Sequence, residues 1–319
     1  MTMLEFDHLR VEINGRPILR DVTLSVAAGE AVGLVGESGS GKSMTVKSVL
    51  RLLPPGARAT GTVRFGDTDV HTLDGAGLRR MRSEDVAMVF QDPRATVNPV
   101  RTIGDFLTEV LRDQGVSRSD ARTRAAGLLA DVGVDHVARR LRQRPHELSG
   151  GLLQRVVIAA ALATSPKLIL ADEPTTALDV TTQEEVVAIL NERRREHGSA
   201  LLFISHDLEL AAAVCDRIAV MYAGEIVEVL PADRLHEDAR HPYTQALLRS
   251  RPGTVAPGER LATVPGSPQS AFDAPAGCVF ADRCPQAAGP CRDVRPALLP
   301  IDSGLAACHL LPRETPSVA

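Results

Sequence analysis

Apolar residues near the start of the chain fall on alternate positions. Leu9, Val11 and Ile13 are offset from polar neighbours, the period of a half-buried strand, and Leu24 and Val26 mark a second one. After a turn at Gly29-Glu30, the unbroken apolar run Ala31 to Val35 predicts a short buried strand that feeds directly into the glycine-rich segment Gly36 to Gly41. Thr45 to Leu53 continues as a helix and stops at Pro54-Pro55. From about Thr102 to Ala163 the pattern becomes helical, with Leu107, Val110 and Leu111 on one face and Leu128, Leu129 and Val132 on another. Strand-like runs then return at Leu168–Ala171, Ala200–Ile204 and Ile218–Met221, separated by helical stretches at Thr182–His197 and Leu208–Val214. Alternation of this kind predicts an α/β fold with a parallel sheet, interrupted by a helical insertion. After about Arg234 the chain turns to Pro, Gly and Cys without periodicity, so a boundary is expected there. No internal repeat is visible.

Composition narrows the function. The 319 residues suffice for one large core and an appendage, and 44% hydrophobic content with a net charge of -4 describes an ordinary globular protein. There is no basic excess of the kind nucleic-acid binding calls for, so no nucleic-acid partner is expected. Met1 to Arg10 carries alternating charges and no apolar core, which predicts no signal peptide. No stretch approaches the roughly 20 apolar residues of a spanning helix; the longest run, near Ile158 to Ala163, suits a buried helix. Any work at a membrane is expected to go through partners. Lysine is scarce, only Lys42, Lys47 and Lys167, which makes a lysine inside a motif harder to explain by chance.

Gly36-Glu37-Ser38-Gly39-Ser40-Gly41-Lys42-Ser43 fits a phosphate-binding loop, after a strand and opening a helix. Such a loop converges backbone N–H groups on the β- and γ-phosphates of a nucleotide, and the helix terminus adds a favourable dipole. Gly36, Ser38, Gly39, Ser40 and Gly41 form the cradle, Lys42 neutralises phosphate charge, and the Ser43 hydroxyl is a Mg²⁺ ligand. Asp172 ends the apolar strand Leu168 to Ala171, and a carboxylate there suits Mg²⁺; the next residue, Glu173, suits the general base or water-orienting group.

With these segments read as Walker A and Walker B, the chain resembles the ABC ATPases. Leu148-Ser149-Gly150-Gly151-Leu152-Leu153-Gln154-Arg155 resembles the ABC signature, Gln91 in Phe90-Gln91-Asp92-Pro93 the Q-loop, Thr176-Ala177-Leu178-Asp179 the D-loop, and His206 in Ile204-Ser205-His206-Asp207 the switch histidine. The resemblance implies an α/β P-loop ABC ATPase domain over residues 1–235, with a parallel sheet core, an antiparallel β edge and a helical subdomain at about 92–163. It also implies that Gln91 senses the γ-phosphate and contributes to the Mg²⁺ site, that His206 donates to the γ-phosphate, and that Asp179 belongs to the nucleotide site. Ser149, Gly150 and Gly151 would cap ATP held by an opposing subunit. The partners implied are a second ABC ATPase subunit, identical or not, two membrane permease subunits, and indirectly an extracytoplasmic solute-binding protein; the place is the cytoplasmic face of the membrane, as a peripheral subunit. Two features depart from the family. Adenine usually stacks on an aromatic about where Ile13 or Arg16 falls here, and the nearby Phe6 reads as strand core. The signature carries two apolar residues at Leu152-Leu153, where a polar second residue is common.

His241-Pro242-Tyr243-Thr244-Gln245-Ala246-Leu247-Leu248 resembles the segment that marks oligopeptide and dipeptide importer ATPases. This makes residues 236–319 a small Cys-rich carboxyl-terminal module and peptides the expected cargo, with nickel or a metal–metallophore complex as the alternative and a non-transport ABC ATPase as a more distant one. Cys278, Cys284, Cys291 and Cys308 lack the closely spaced pairs of zinc knuckles, and four thiolates satisfy the ligand count of a [4Fe–4S] cluster. The cysteines are read as an iron–sulfur site, with Zn²⁺ or unmetallated thiols as alternatives. Some ATPases of the resembled group carry such a cluster. His309 reads as a bystander and Cys215 as a buried small hydrophobe.

Overall fold

The computed structural model describes residues 1–176, 178–250 and 263–311. Among them the strands are β1 (Thr2–Ile13), β2 (Arg16–Ala27), β3 (Ala31–Val35), β4 (Ala57–Phe65), β5 (Thr68–Asp69), β6 (Val86–Val89), β7 (Leu168–Asp172), β8 (Ala200–Ser205), β9 (Arg217–Tyr222), β10 (Glu225–Pro231), β11 (Leu299–Ile301) and β12 (Gly304–Ala306). The chain forms two compact units. One gathers the two amino-terminal pieces 1–4 and 26–31 with residues 66–203; the other gathers 5–25, 32–65 and the chain from 204 onward.

The unit centred on residues 66–203 carries the strand run β8-β7-β6. β6 and β7 are parallel, in a register that pairs Val86 with Leu168 and Val89 with Ala171. Every residue of β7 is buried, which is why its sequence is continuous Leu-Ile-Leu-Ala rather than alternating. The helical stretch expected at about 92–163 resolves into helices at Pro93–Thr96, Ile103–Asp113, Arg118–Asp131, Val137–Arg140 and Gly150–Leu162. Local chemistry sets their starts: Thr102 and Asp105 form a reciprocal capping box, and Ser117 accepts from Asp120 N. Of the residues the helical period placed on the two faces, Leu107, Leu111, Leu129 and Val132 are buried, while Val110 and Leu128 are half-buried at the margins of those faces. The helix expected over Thr182–His197 spans Val180–His197, capped by Asp179 at its start and by Gly198 at its end.

The second unit holds the strand run β4-β1-β2-β10-β9-β3. β1 and β2 join through Asn14-Gly15, both at positive φ (51° and 78°), the two-residue turn that suits a right-twisted hairpin. β3 and β9 are parallel, β9 and β10 antiparallel, and β10 pairs antiparallel with β12. The sheet is therefore mixed, with a parallel part where strands are buried on both faces and an antiparallel part beside it. β11 and β12 form a hairpin within the stretch where no periodicity was expected, and they fasten the carboxyl-terminal residues to β10. The helix after the glycine-rich segment spans Lys42–Val49 rather than Thr45–Leu53. It ends early because Arg51 adopts a left-handed conformation (φ 51°) ahead of the prolines.

Candidate functional site

In the second unit the fully buried β3 delivers the chain into Gly36. A Cβ at Gly36 would lie 2.1 Å from the carbonyl oxygen of Met221, and its φ of 156° is unfavourable for side chains, so only glycine lets strand and loop meet β9 this closely. Lys42 is 5% exposed, and its Nζ donates to the carbonyls of Gly36 (2.8 Å) and Glu37 (3.0 Å). Gly41 caps the helix from Lys42 and, lacking a side chain, makes no side-chain cap bond there. The buried Ser40 hydroxyl has no hydrogen-bond partner among the described residues, as expected of a donor reserved for a ligand. Ser38 and Gly39 are exposed and Ser43 is half-buried, so the loop combines a buried cation, the Ser40 hydroxyl and access from outside.

Glu37 is where distant parts of the chain grip this loop. Its N–H donates to Tyr243 Oη (2.9 Å), and its carbonyl accepts from Ser40 N (3.2 Å) as well as from Lys42. Its carboxylate meets Arg283 in a two-pronged ion pair, Nη1–Oε2 2.6 Å and Nη2–Oε1 3.1 Å, with the Arg283 side chain 4% exposed. The guanidinium also donates to Tyr222 Oη (3.2 Å) and lies over the rings of Tyr222 and Phe280. Tyr222, Tyr243 and Phe280 pack together with centroids 4.7–5.3 Å apart. Burial, reinforced by the Glu37 carboxylate, holds the Tyr243 phenol far above its usual range, so it stays neutral. His241 caps the following helix by accepting from Tyr243 N (3.1 Å), and burial depresses it to about 4. His206 follows β8 and is exposed; the helix after it is capped by Asp207, which accepts from Glu209 N and Leu210 N. His206 is therefore not needed as a cap.

The first unit assembles a second set of predicted residues. The β6–β7 register carries forward beyond the strands and brings Gln91 beside Glu173, with Gln91 Nε2 donating to Glu173 Oε2 at 3.3 Å. Thr176 Oγ1 donates to the same oxygen at 2.8 Å. Glu173 has φ 46°, a left-handed conformation that costs a residue with a side chain on the order of 1–3 kcal/mol and tends to mark functional positions. Asp172, at the end of β7, is 4% exposed. Ser149 caps the helix Gly150–Leu162, accepting from Leu152 N at 3.4 Å. A Cβ at Gly151 would lie 2.6 Å from Thr182 Cγ2, and Thr182 is itself locked to Asp179 by Oγ1–Oδ2 (2.8 Å) and N–Oδ1 (3.1 Å) bonds. Those bonds lower the Asp179 carboxyl below its usual range. The signature terminus and Asp179 thus meet through Thr182, while Ala177 lies outside the described residues.

In the second unit, Cys278 and Cys291 are buried, Cys284 and Cys308 half-buried, and Cys278 N donates to the Cys291 carbonyl (2.8 Å). Burial pushes the Cys278 thiol up to about 11 and raises Cys284 and Cys308 as well. Neighbouring thiols add smaller contributions in the same direction. Among the described residues no group of three or more His, Cys, Asp or Glu converges as a site for a metal ion. His309 Nε2 is taken up by the Val294 carbonyl (2.7 Å), consistent with a bystander. Cys215 is 7% exposed and packs near Gly33, as a small hydrophobe would. Arg283 and the loop-capping use of Tyr243 were invisible to motif reading. Tyr243 lay inside a recognisable segment, but Arg283 carries no local signal.

A phosphate loop on a mixed α/β sheet, together with a separate signature helix terminus, defines an ATP-binding cassette. The ABC transporter family profile matches residues 19–176, and the profile of the oligopeptide/dipeptide transporter carboxyl-terminal region matches residues 227–291. The chain is 42% identical over 317 residues to the dipeptide transport ATP-binding protein DppD of Escherichia coli (strain K12), covering 97% of each. It is 43% identical over 301 residues to a putative peptide import ATP-binding protein of Brucella melitensis, covering 89% of this chain and 88% of that one. A solved structure of the ATP-binding cassette MJ0796, in a post-hydrolysis state bound to ADP and Pi, matches 72% of this chain and 99% of its own, with 30% identity and TM-score 0.65. The chain belongs to the ABC transporter ATP-binding proteins, and to those that carry the oligopeptide/dipeptide transporter carboxyl-terminal region. It is an ATPase of the cassette type.

Proposed function

We propose that this chain is the ATP-hydrolysing subunit of a peptide importer, working as a peripheral subunit on the cytoplasmic face of the membrane. The observation that carries the reading is the pairing of the braced phosphate loop with the carboxyl-terminal region named for oligopeptide and dipeptide transporters. Among the described residues no helix is long and apolar enough to cross a membrane, so translocation is assigned to two permease subunits, supplied with solute by an extracytoplasmic binding protein. A second cassette subunit is the expected ATPase partner. Lys42 and the loop N–H groups hold the phosphates. Ser43, Asp172 and Gln91 are assigned to Mg²⁺, a hard cation that takes such oxygen donors and neutralises phosphate charge. Glu173, oriented by Gln91 and Thr176, accepts the proton of the attacking water. His206 donates to the γ-phosphate. Ser149, Gly150 and Gly151 act at the nucleotide of the opposing subunit, and Asp179 belongs to the nucleotide site. The test is uptake of a labelled dipeptide by cells lacking this chain: the wild-type protein should restore it and Lys42→Ala should not. Restoration of nickel uptake alone would reassign the cargo.

The four cysteines are assigned to a [4Fe–4S] cluster. Supporting this are the all-thiol donor set, which satisfies the ligand count of such a cluster, and the backbone bond by which Cys278 N donates to the Cys291 carbonyl. When bound, the cluster would supply covalent cross-links between chain segments, with Cys278, Cys284, Cys291 and Cys308 holding it. Anaerobically purified protein should be brown, with about four irons per chain, and Cys284→Ser should bleach it. Colourless protein with stoichiometric zinc would replace the cluster by Zn²⁺, and protein free of both metals would overturn the metal assignment.

A further inference from the structure

Aromatic residues make up 3% of this chain, with no Trp. Among the described residues Phe272 is the one large aromatic side chain left exposed, at 46%. It is nevertheless held. Arg16, on β2, lays its guanidinium over the ring, 5.5 Å from the centroid. The segment carrying the ring is fixed by Arg20, whose Nη1 donates to the carbonyls of Ala271 (3.3 Å) and Ala274 (2.9 Å), and by a Ser270 Oγ–Asp273 bond (2.7 Å).

This anchorage leads back to the phosphate loop through direct contacts. Ala271 is buried, and its Cβ lies 3.0 Å from where a Cβ of Gly224 would be. Gly224 donates its N–H to the Ser40 carbonyl (2.8 Å) and accepts from Arg20 N (2.9 Å). Gly41 lies against Leu19 and the Ile18 carbonyl, 2.6 and 3.3 Å from its missing Cβ, both on the same strand as Arg16 and close to it in sequence. The loop, the start of β2, Gly224 and the Phe272 segment are therefore one packed neighbourhood within one compact unit. A nucleotide whose phosphates lie along Gly36–Lys42 carries a flat purine, and aromatic rings and guanidinium planes accept such faces by stacking, without reading base edges.

We propose that Phe272, supported by Arg16, is the platform on which the base of the bound nucleotide stacks, so that the carboxyl-terminal region completes the nucleotide site. Because stacking is blind to base edges, affinity should drop sharply without a base and differ little between purines. The proposal rests on the phosphate loop being the ATP site, and the two can fail separately.

The chain lacks Trp, so Phe272→Trp places a single fluorophore on the platform of the full-length protein. MgATP should change its emission saturably, whereas magnesium tripolyphosphate, which has phosphates and no base, should bind without doing so. Phe272→Ala should weaken MgATP binding about tenfold or more, in line with base–aromatic stacking measured by alanine substitution, and leave tripolyphosphate affinity within about twofold. Phe272→Tyr should restore the affinity. Unchanged MgATP affinity in Phe272→Ala, or an equal loss for tripolyphosphate, would overturn the platform. If instead Lys42→Ala left both ligands binding normally, the phosphate loop itself would be wrong.

Discussion

The molecule presents two helix amino termini suited to phosphate, and they are built in opposite ways. The signature terminus is local: Ser149 caps its own helix, and Thr182 and Asp179 support it from within the same unit. The phosphate-loop terminus has no side-chain cap, and its geometry is set from far along the chain, by Met221 against Gly36 and by Tyr243 and Arg283 on Glu37. A self-capped terminus has one donor fewer to give and suits the supporting role proposed for it at a partner's nucleotide. An uncapped, externally braced terminus keeps its donors for a ligand of its own. The comparison divides the chemistry: residues around Glu173 should govern turnover, and residues around Lys42 should govern affinity.

The strongest attempt to break that division is Glu173→Gln. Loss of a general base costs on the order of 10²–10⁴ in rate, and the amide keeps the bonds to Gln91 and Thr176 feasible, so ATP hydrolysis should nearly vanish while MgATP affinity is retained. Steady-state hydrolysis and equilibrium binding measured on one preparation decide it; comparable losses in both would erase the division. Gly36→Ala attacks the other side. With the new methyl 2.1 Å from the Met221 carbonyl, the loop must move, and nucleotide binding should fall below detection by calorimetry.

Arg283→Gln then sharpens the account. It strands the half-buried Glu37 carboxylate beside the phosphate site, at a cost on the order of 2–5 kcal/mol for a buried charge pair broken on one side. Much of that should appear as weaker MgATP binding. Adding Glu37→Gln removes the stranded charge and should recover part of the affinity; strictly additive losses would show that Arg283 acts only on folding.

These effects divide along the line between what the sequence made legible and what it did not. Short-range signals were enough for β3, the glycine-rich loop after it and the Asp172-Glu173 end of β7, because glycine and strand rules act over a few residues. The pairing of Gln91 with Glu173 depends on the register of β6 and β7, which no local pattern encodes. The grip of Arg283 on Glu37 depends on a stretch whose apolar residues follow no period, so its β11–β12 hairpin and its contacts were not foreseeable from composition. The base platform escaped for the same reason: the expectation looked near Arg16, and the ring over Arg16 comes from Phe272.

The smallest effect concerns the brace itself. His241 titrates near pH 4 in the fold, because burial disfavours its charge, against about 6.5 when unfolded. Above about 6.5 it is neutral in both states. As pH falls from there toward 4 the unfolded chain takes up a proton that the fold refuses, so stability is lost across that window, by about 3 kcal/mol at most. His241→Asn keeps a side-chain acceptor for Tyr243 N and should flatten this acid slope in denaturant titrations. An unchanged slope would mean His241 is solvated in the fold.

The central claim is that this loop holds the nucleotide through Lys42, in the ground state as well as during hydrolysis. Calorimetric titration of MgATP into full-length wild-type and Lys42→Ala protein tests it most directly. Removing a buried cation that meets phosphate charge should weaken binding by two orders of magnitude or more, about 3–5 kcal/mol. Equal MgATP affinity in the two proteins would contradict the account.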